Sequence, residues 1–229
     1  MPRELASSPK FLRPCDLIRR HWHEHAYATI VLAGSYEEAG ECGRWQVEEG
    51  DVLLHGAFSA HLDAVRPTGA RVLNLPLPPY WRRSMAARVA ESDLLARLAE
   101  RDWRMACEAL MENLGQGRAP LADEPDLLAD ALLREDGCAV EQWSVAHSVS
   151  RQTSFRWFRA AYGVAPSRFR VEARAREAWR LLMDSPAPLG EVAAETGFAD
   201  QAHMSRDVKA LTGRSPATWR AEAATFLQD

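Results

Sequence analysis

The feature that most constrains this chain is an internal repeat near its carboxyl end. Five residues recur at an offset of 50 positions, in the shared pattern R-x6-G-x2-P-x2-aromatic-R. The pairs are Arg156 and Arg206, Gly163 and Gly213, Pro166 and Pro216, Phe169 and Trp219, and Arg170 and Arg220. Because a chance match at five positions is improbable, the pattern indicates two copies of one supersecondary unit.

The second copy has the residue order of a helix-turn-helix unit. Small and apolar side chains recur at helical spacing over residues 189–196, which predicts a short supporting helix. Gly197 follows, where a tight turn uses positive φ, and Asp200 is a residue type that caps helix N-termini. The next helix has a buried stripe formed by Met204, Val208 and Leu211. In such units the second helix enters the major groove of DNA.

The first copy follows the same plan. Residues 140–146 predict its supporting helix, and Ser150 is the expected N-cap of its second helix. Between the copies, Pro166 is expected to begin a long helix that ends at about residue 183. The outward faces of the two second helices carry the candidate DNA-binding residues, which are Arg151, Gln152, Phe155, Arg156, Arg159, Gln201, Ala202, Ser205, Arg206 and Lys209.

These candidates differ in how they are interpreted. Arg156 and Arg206 occupy the same position in the two copies, which favours contact with double-stranded DNA. For Arg159 and Lys209, contact with phosphate and simple solvation are both open. The net charge of −4 counts against a nucleic-acid partner, but residues 139–229 carry 12 Lys and Arg against 10 Asp and Glu. Within them, residues 148–180 hold eight arginines and two glutamates, a charge segregation that favours DNA contact.

The amino-terminal part has a different pattern. Short apolar runs at 27–33, 44–47, 52–54 and 71–77 are separated by glycines, which predicts many short strands in a barrel or sandwich. The prolines at 76, 78 and 79 are expected to end this sheet region. Residues 81–114 then predict helices, with Ser92 as an N-cap, and residues 115–125 predict a linker.

Two broad classes are disfavoured by composition. No apolar run approaches the ~20 residues that a membrane span needs, so no membrane partner is expected. The four cysteines are scattered with no C-x-x-C pair, so free buried thiols are expected rather than a disulfide framework. A cytoplasmic protein is the expectation.

The second unit resembles the AraC/XylS-type transcription regulators. The resemblance is carried by Val192-Ala193, Gly197-Phe198, Asp200-Gln201, His203, Ser205-Arg206, Gly213 and Ser215-Pro216, and it extends over roughly residues 125–220. It implies two helix-turn-helix units that reach successive major-groove segments, with the helices after Ser150 and Asp200 as the readers. The first unit departs from the pattern, because Trp143-Ser144 replace a usual Leu-Ala pair, Ser148 stands at the turn, and Ser154 replaces a usual leucine.

The amino-terminal part resembles a cupin motif, which such regulators often carry as a sensor. His21-x-His23 followed by Gly34 matches the first cupin motif, and residues 50–61, ending at His61, match part of the second. The resemblance implies a site for a divalent transition metal (zinc, nickel, copper or iron), formed by His21, His23 and His61, with His25 as a further ligand. Tyr27 stands where metal-binding cupins keep a carboxylate. The open alternative is a small-molecule pocket lined by these histidines, Tyr27 and His55.

The sequence therefore predicts an α+β protein with a cupin-like barrel, further helices and an all-α double helix-turn-helix domain. The expected divisions are residues 1–80 for the barrel, 81–116 for a helical segment with a possible dimer contact, 117–125 for a linker and 126–229 for DNA binding. The expected function is a homodimeric transcription regulator controlled by a small molecule or metal, without enzymatic activity. The alternative is a cupin-type metal-dependent enzyme with an appended helical domain.

Overall fold

The first half of the chain forms an antiparallel sheet. The structure is a computed structural model, and it describes residues 8–78, 81–134 and 139–226. Within those ranges the strands are β1 Lys10–Leu12, β2 Leu17–Trp22, β3 Tyr27–Gly40, β4 Gly43–Glu48, β5 Asp51–His55, β6 Ala60–Pro76, β7 Met85–Val89 and β8 Leu114–Gly117. Their order is β1-β6-β3-β5-β7-β8, with β2 also on β6 and β4 also on β3.

The sheet is organised around the long strands β3 and β6, which pair along most of their lengths. Their register shifts near Gly34, whose φ is +73°, and a Cβ at this position would lie 2.0 Å from the Gly69 carbonyl oxygen. Such bulges bend a strand and increase its twist. Gly34 and Gly69 were expected to separate short strands. They lie instead inside the continuous strands β3 and β6. A closed barrel needs its first and last strands to pair, and among the described strands β1 and β8 do not pair. The cupin-like barrel therefore stays a prediction.

Helices make up most of the remainder. They are α1 Ser92–Arg101, α2 Trp103–Glu112, α3 Glu124–Leu133, α4 Val140–Ala146, α5 Arg151–Tyr162, α6 Pro166–Asp184, α7 Leu189–Glu195, α8 Gln201–Thr212 and α9 Pro216–Phe226. The first two pack on one face of the sheet through Leu95, Ala99, Ala106 and Leu110. Strands β1–β8 with α1 and α2 are called the sheet part below, and α3–α9 the helical part. The fold is α+β, as the sequence predicts.

Several expectations about the middle of the chain were wrong. Residues 81–114 are not uniformly helical, because β7 precedes α1. Residues 115–117, at the start of the expected linker, belong to β8, which pairs with β7. The prolines therefore end β6 but not the sheet; Pro79 lies outside the described residues. The N-cap of α1 is Glu91, not Ser92. These two strands are short and are held by pairing with distant segments, so local sequence signals them poorly.

Two smaller points concern cysteines and membranes. Cys15 and Cys42 are exposed and Cys107 is partly buried, so the expectation of buried thiols was wrong for these three; Cys138 lies outside the described residues. In the described ranges no helix is both long and apolar enough to cross a bilayer.

Candidate nucleic-acid interface and histidine cluster

The helix-turn-helix geometry of the second unit agrees with the sequence. Gly197 has a φ of +72° and follows α7, and the Asp200 side chain accepts a hydrogen bond from the backbone N–H of His203, which caps α8. Met204, Val208 and Leu211 are buried against α6 and α9. The opposite face of α8 is therefore turned away from the helical core.

The first unit repeats this arrangement with a tighter turn. Ser150 caps α5 through the Thr153 N–H, as predicted. Ser148 has a φ of +55° and takes the role of Gly197, with one residue between it and the cap instead of two. Both second helices end at glycines with positive φ, Gly163 and Gly213, and both are followed by a helix that begins with proline. The sequence repeat is thus a structural repeat.

The two serines that depart from the family pattern in the first unit, Ser144 and Ser154, are hydrogen-bonded to each other. Ser144 and Ser154 are both buried, and their hydroxyl oxygens lie 2.8 Å apart. The Ser144 hydroxyl also bonds the carbonyl of Val140, at 2.7 Å, so neither buried hydroxyl lacks a hydrogen bond. Because an unsatisfied buried hydroxyl is costly, the two departures from the family pattern compensate for each other.

The predicted DNA-contact residues lie on the outer faces of α5 and α8. Arg156 and Arg206 are exposed, as are Arg159 and Lys209, and within the described residues none of these four forms an ion pair. The other members are the exposed Arg151, Gln152, Gln201 and Ala202 and the half-buried Phe155 and Ser205. Arg151 packs over the Phe155 ring at 5.3 Å. Both faces are open to a ligand, with free cationic groups at the repeated position.

The other arginines that contribute to the charge segregation have a different role. Arg176 and Arg180 of α6 point to the sheet part, where both form ion pairs with Glu41, at 2.6 and 2.8 Å. Part of the positive charge in residues 148–180 is therefore neutralised by contacts between the two parts of the chain. A further contact between the two parts joins Arg20 of β2 to Glu172 of α6, at 3.1 Å.

A histidine cluster lies at the end of the sheet. His21, His23 and His61 each place one ring nitrogen within 4.8 Å of the others, so three of the predicted metal ligands lie together. His21 lies near the end of β2, which ends at Trp22, and His23 is the first residue beyond the strand. His25, the fourth predicted ligand, is exposed and lies in a bend after β2. Among the described residues it belongs to no group of side chains that could hold a metal ion.

Tyr27 and His55 lie behind these histidines. The Tyr27 hydroxyl is 3.2 Å from the Nε2 atom of His61, and the Tyr27 and His55 rings stack at 4.4 Å. Glu38 is a member of this group that the sequence reasoning missed: its carboxylate lies 3.5 Å from the Nδ1 atom of His55. The cupin motif expects its carboxylate at the position of Tyr27, so the motif does not point to Glu38. The residues from Glu38 to Gly40 are all buried, so no alternation along β3 marks Glu38 as a member of the group.

Burial sets the protonation of this inner group. It lowers the pKa of His55 to about 3, assisted by His23, and holds the pKa of His61 well below its ordinary value. Burial and the neighbouring Asp63 raise the pKa of Glu38 well above the usual range, and burial raises the pKa of Asp63 to about 7. Both imidazoles are therefore neutral near neutral pH, and their lone pairs are available for a ligand.

The turn between His55 and His61 connects the cluster to the helical part. Phe58 in this turn has a φ of +60°, and its ring packs edge-on against Trp179 of α6 and Trp219 of α9, at 5.0 and 5.6 Å. The Phe58 carbonyl accepts a hydrogen bond from the Nε atom of Arg176 at 3.0 Å. The chain segment that carries two of the cluster's imidazoles is thus part of the core of the second unit.

The comparisons with known proteins concern mainly the helical part. Residues 143–222 match the family model described as a helix-turn-helix domain. No curated protein sequence matches the chain.

Among solved structures, the DNA-binding domain of AdpA in complex with a target DNA is 30% identical, over 44% of this chain and 93% of that one, with a TM-score of 0.40. An AraC-type regulator from Chromobacterium violaceum is 21% identical over 44% and 92%, with a TM-score of 0.41. ToxT from Vibrio cholerae, bound to an unsaturated fatty acid, is 10% identical over 93% of each chain, with a TM-score of 0.38.

The family assignment rests on the matched model, the signature residues of the second unit and the duplicated geometry of α4–α5 and α7–α8. Residues 143–222 are a helix-turn-helix DNA-binding domain of the AraC type, and the chain is a DNA-binding transcription regulator.

Proposed function

We propose that this regulator reads double-stranded DNA with both α5 and α8 and that an effector bound at the histidine cluster controls it. The observation that carries the proposal is the repeated, exposed and unpaired pair Arg156 and Arg206 on the outer faces of these helices. An arginine fork matches a guanine edge or a phosphate. Gln152, Gln201, Ala202 and Ser205 are the further proposed base-side contacts, and Arg151, Phe155, Arg159 and Lys209 the flanking contacts.

Salt dependence tests the DNA-binding mode. The full chain is used to select a binding site from a random duplex pool, and its affinity is measured by fluorescence anisotropy over a range of salt concentrations. If about six to ten phosphates are neutralised, affinity is expected to fall by about 10³–10⁵ between 50 and 200 mM salt. Affinity that does not change with salt would contradict groove binding by these helices.

The effector site is proposed at the histidine cluster because of its position in the fold. His21, His23 and His61 face an open edge of the cluster, and Tyr27 and His55 lie behind them. A ligand that pulls His55 and His61 together would strain the turn that bears Phe58, and Phe58 packs directly on Trp179 and Trp219. This contact provides a short mechanical connection between the effector and the second helix-turn-helix unit.

A homodimer through α1 and α2 is also proposed. Leu94, Met105 and Met111 on these helices are exposed large apolar side chains, with Met105 at 52%. Apolar patches of this kind mark protein interfaces. The substitution Met105→Glu is expected to shift the full chain from dimer to monomer in sedimentation velocity, whereas Val145→Glu, at an exposed apolar residue of α4, leaves the dimer intact. Equal dimer fractions in the wild type and Met105→Glu would exclude this surface.

A further inference from the structure

Behind the open edge of the histidine cluster lies a second group of metal-ligating side chains. Glu38 of β3, His55 of β5 and His61 of β6 each offer one ligand atom, and these atoms lie within 4.8 Å of one another. All three residues are almost fully buried, at 3%, 2% and 4% exposure. Their convergence follows from the sheet, because β3 pairs with both β5 and β6 and each side chain points to the same interior.

The imidazoles of this group have unused polar atoms. Within the described residues, the Nε2 atom of His55 and the Nδ1 atom of His61 are buried without a hydrogen-bond partner. The Oδ1 atom of Asp63 is also buried without a hydrogen-bond partner. Asp63 lies on β6 directly opposite Glu38 of β3. Buried polar atoms nearly always have partners, so three unpartnered atoms on neighbouring residues indicate that a ligand belongs among them.

The available space selects the kind of ligand. The gap lined by Glu38, His55 and His61 has no room for even a water molecule. The large cleft among the described residues, about 910 Å³, lies elsewhere, between α6, α7 and the Cys42 region. A bare ion that the side chains close around is therefore a better occupant of the gap than an organic molecule.

The donor set and the local charge select the ion. Two imidazoles and one carboxylate form a ligand set found for zinc and for iron(II). Binding of a divalent cation would displace the protons of Glu38 and Asp63, and the two carboxylates would then balance its charge in this dry interior. The Tyr27 hydroxyl, hydrogen-bonded to His61, orients that ring as an outer partner of the ligand.

We propose that Glu38, His55 and His61 bind one divalent transition-metal ion and that this ion is the effector of the regulator. The binding site stands on the geometry alone, whereas the effector role rests on the function proposed above. The site differs from the His21–His23–His61 set that the cupin resemblance implies, because it replaces two histidines at the open edge with a buried imidazole and a carboxylate from β3.

Cobalt(II) is the probe that tests this site. The full chain is stripped with a chelator and titrated with Co²⁺ while its visible absorption is recorded, followed by competition with Zn²⁺. One ion per chain is expected. The variants Glu38→Gln and His55→Gln, which keep side-chain size, are expected to weaken binding by more than the ~10–100-fold typical of an outer partner's loss. His25→Ala, at an exposed histidine outside both groups of ligating residues, is the matched control and is expected to keep its affinity.

Two outcomes would overturn the proposal. One is the absence of cobalt binding by the wild-type chain; the other is binding that His23→Ala abolishes and Glu38→Gln leaves intact. Near-ultraviolet circular dichroism of the two glutamine variants shows that each is folded, and either folded variant suffices for the comparison. DNA affinity is measured separately, for the metal-free chain and for the chain with Co²⁺. Normal DNA binding without metal binding refutes this site alone, whereas absent DNA binding in both states refutes the proposed function.

Discussion

Replacing Arg206 with alanine is expected to weaken binding of the full chain to its selected DNA site by about 5- to 150-fold. This range corresponds to the ~1–3 kcal/mol that a good arginine contact to a base edge provides. The side chain is exposed on α8 and forms no ion pair in the described part of the chain, so its removal takes nothing from the fold. Anisotropy with the selected duplex and with a scrambled duplex measures the change in affinity and in specificity.

The control for this experiment is Arg71→Ala. Arg71 is an exposed arginine of β6, so the substitution removes the same charge from the sheet part instead of from α5 or α8. Its effect on affinity is expected to be negligible after screening by salt. Arg156→Ala, at the equivalent position of the first unit, is expected to add to Arg206→Ala in the double variant, because the two helices are proposed to bind separate groove segments. Equal effects of Arg206→Ala and Arg71→Ala would contradict a reading role for α8.

The helical part could be predicted from sequence because its signals are local. The caps Ser150 and Asp200, the glycine at 197 and the proline at 166 each determine a nearby bond or dihedral angle, and the structure has them where they were expected. The repeat then required no knowledge of long-range packing. Even the departures at Ser144 and Ser154 were visible, although only the structure shows that the two hydroxyls bond each other.

The inner part of the histidine cluster could not be predicted in the same way. His21, His23 and His61 were identified by the spacing of the cupin motif, and in the structure these three side chains do lie close together. Glu38 belongs to no motif, and it reaches His55 because β3 runs uninterrupted past Gly34 and pairs with β6 at Asp63. That register depends on bulges in two long strands, and a shift of one residue would turn Glu38 to the other face. The ligand set thus depends on pairing between distant segments.

The ion pairs between the two parts of the chain were also beyond the reach of sequence. Glu41 follows β3 and is buried at 5% exposure, with its carboxylate held by Arg176, Arg180 and the hydroxyls of Ser59 and Ser84. Burial alone would raise the pKa of Glu41, but the two guanidinium groups and the hydroxyls lower it below its ordinary value. Glu41 is therefore an ionised carboxylate that connects β3 to α6.

Glu41→Ala is expected to be the most destabilising single substitution discussed for this chain. It would leave Arg176, which is 2% exposed, buried without its counter-ion. Removing one partner of a buried pair costs about 3–5 kcal/mol, since the remaining charge is uncompensated. For a chain of this size the melting temperature is expected to fall by roughly 6–20 °C. Urea and thermal unfolding followed by tryptophan fluorescence measure both quantities, with Trp179 and Trp219 reporting on the helices next to the ion pair.

The matched control is Glu24→Ala, which breaks another contact between the two parts of the chain. Glu24 pairs with Arg214 at 3.0 Å, but both side chains are more than 40% exposed, so this loss is expected to cost less than about 1 kcal/mol. If the two substitutions destabilise the chain equally, the Glu41 pairs are no stronger than a solvated contact. If Glu41→Ala is the more severe, as expected, α6 and β3 are joined by a buried ionic contact, and any movement of β3 caused by an effector is transmitted to the helix that supports both DNA-reading units.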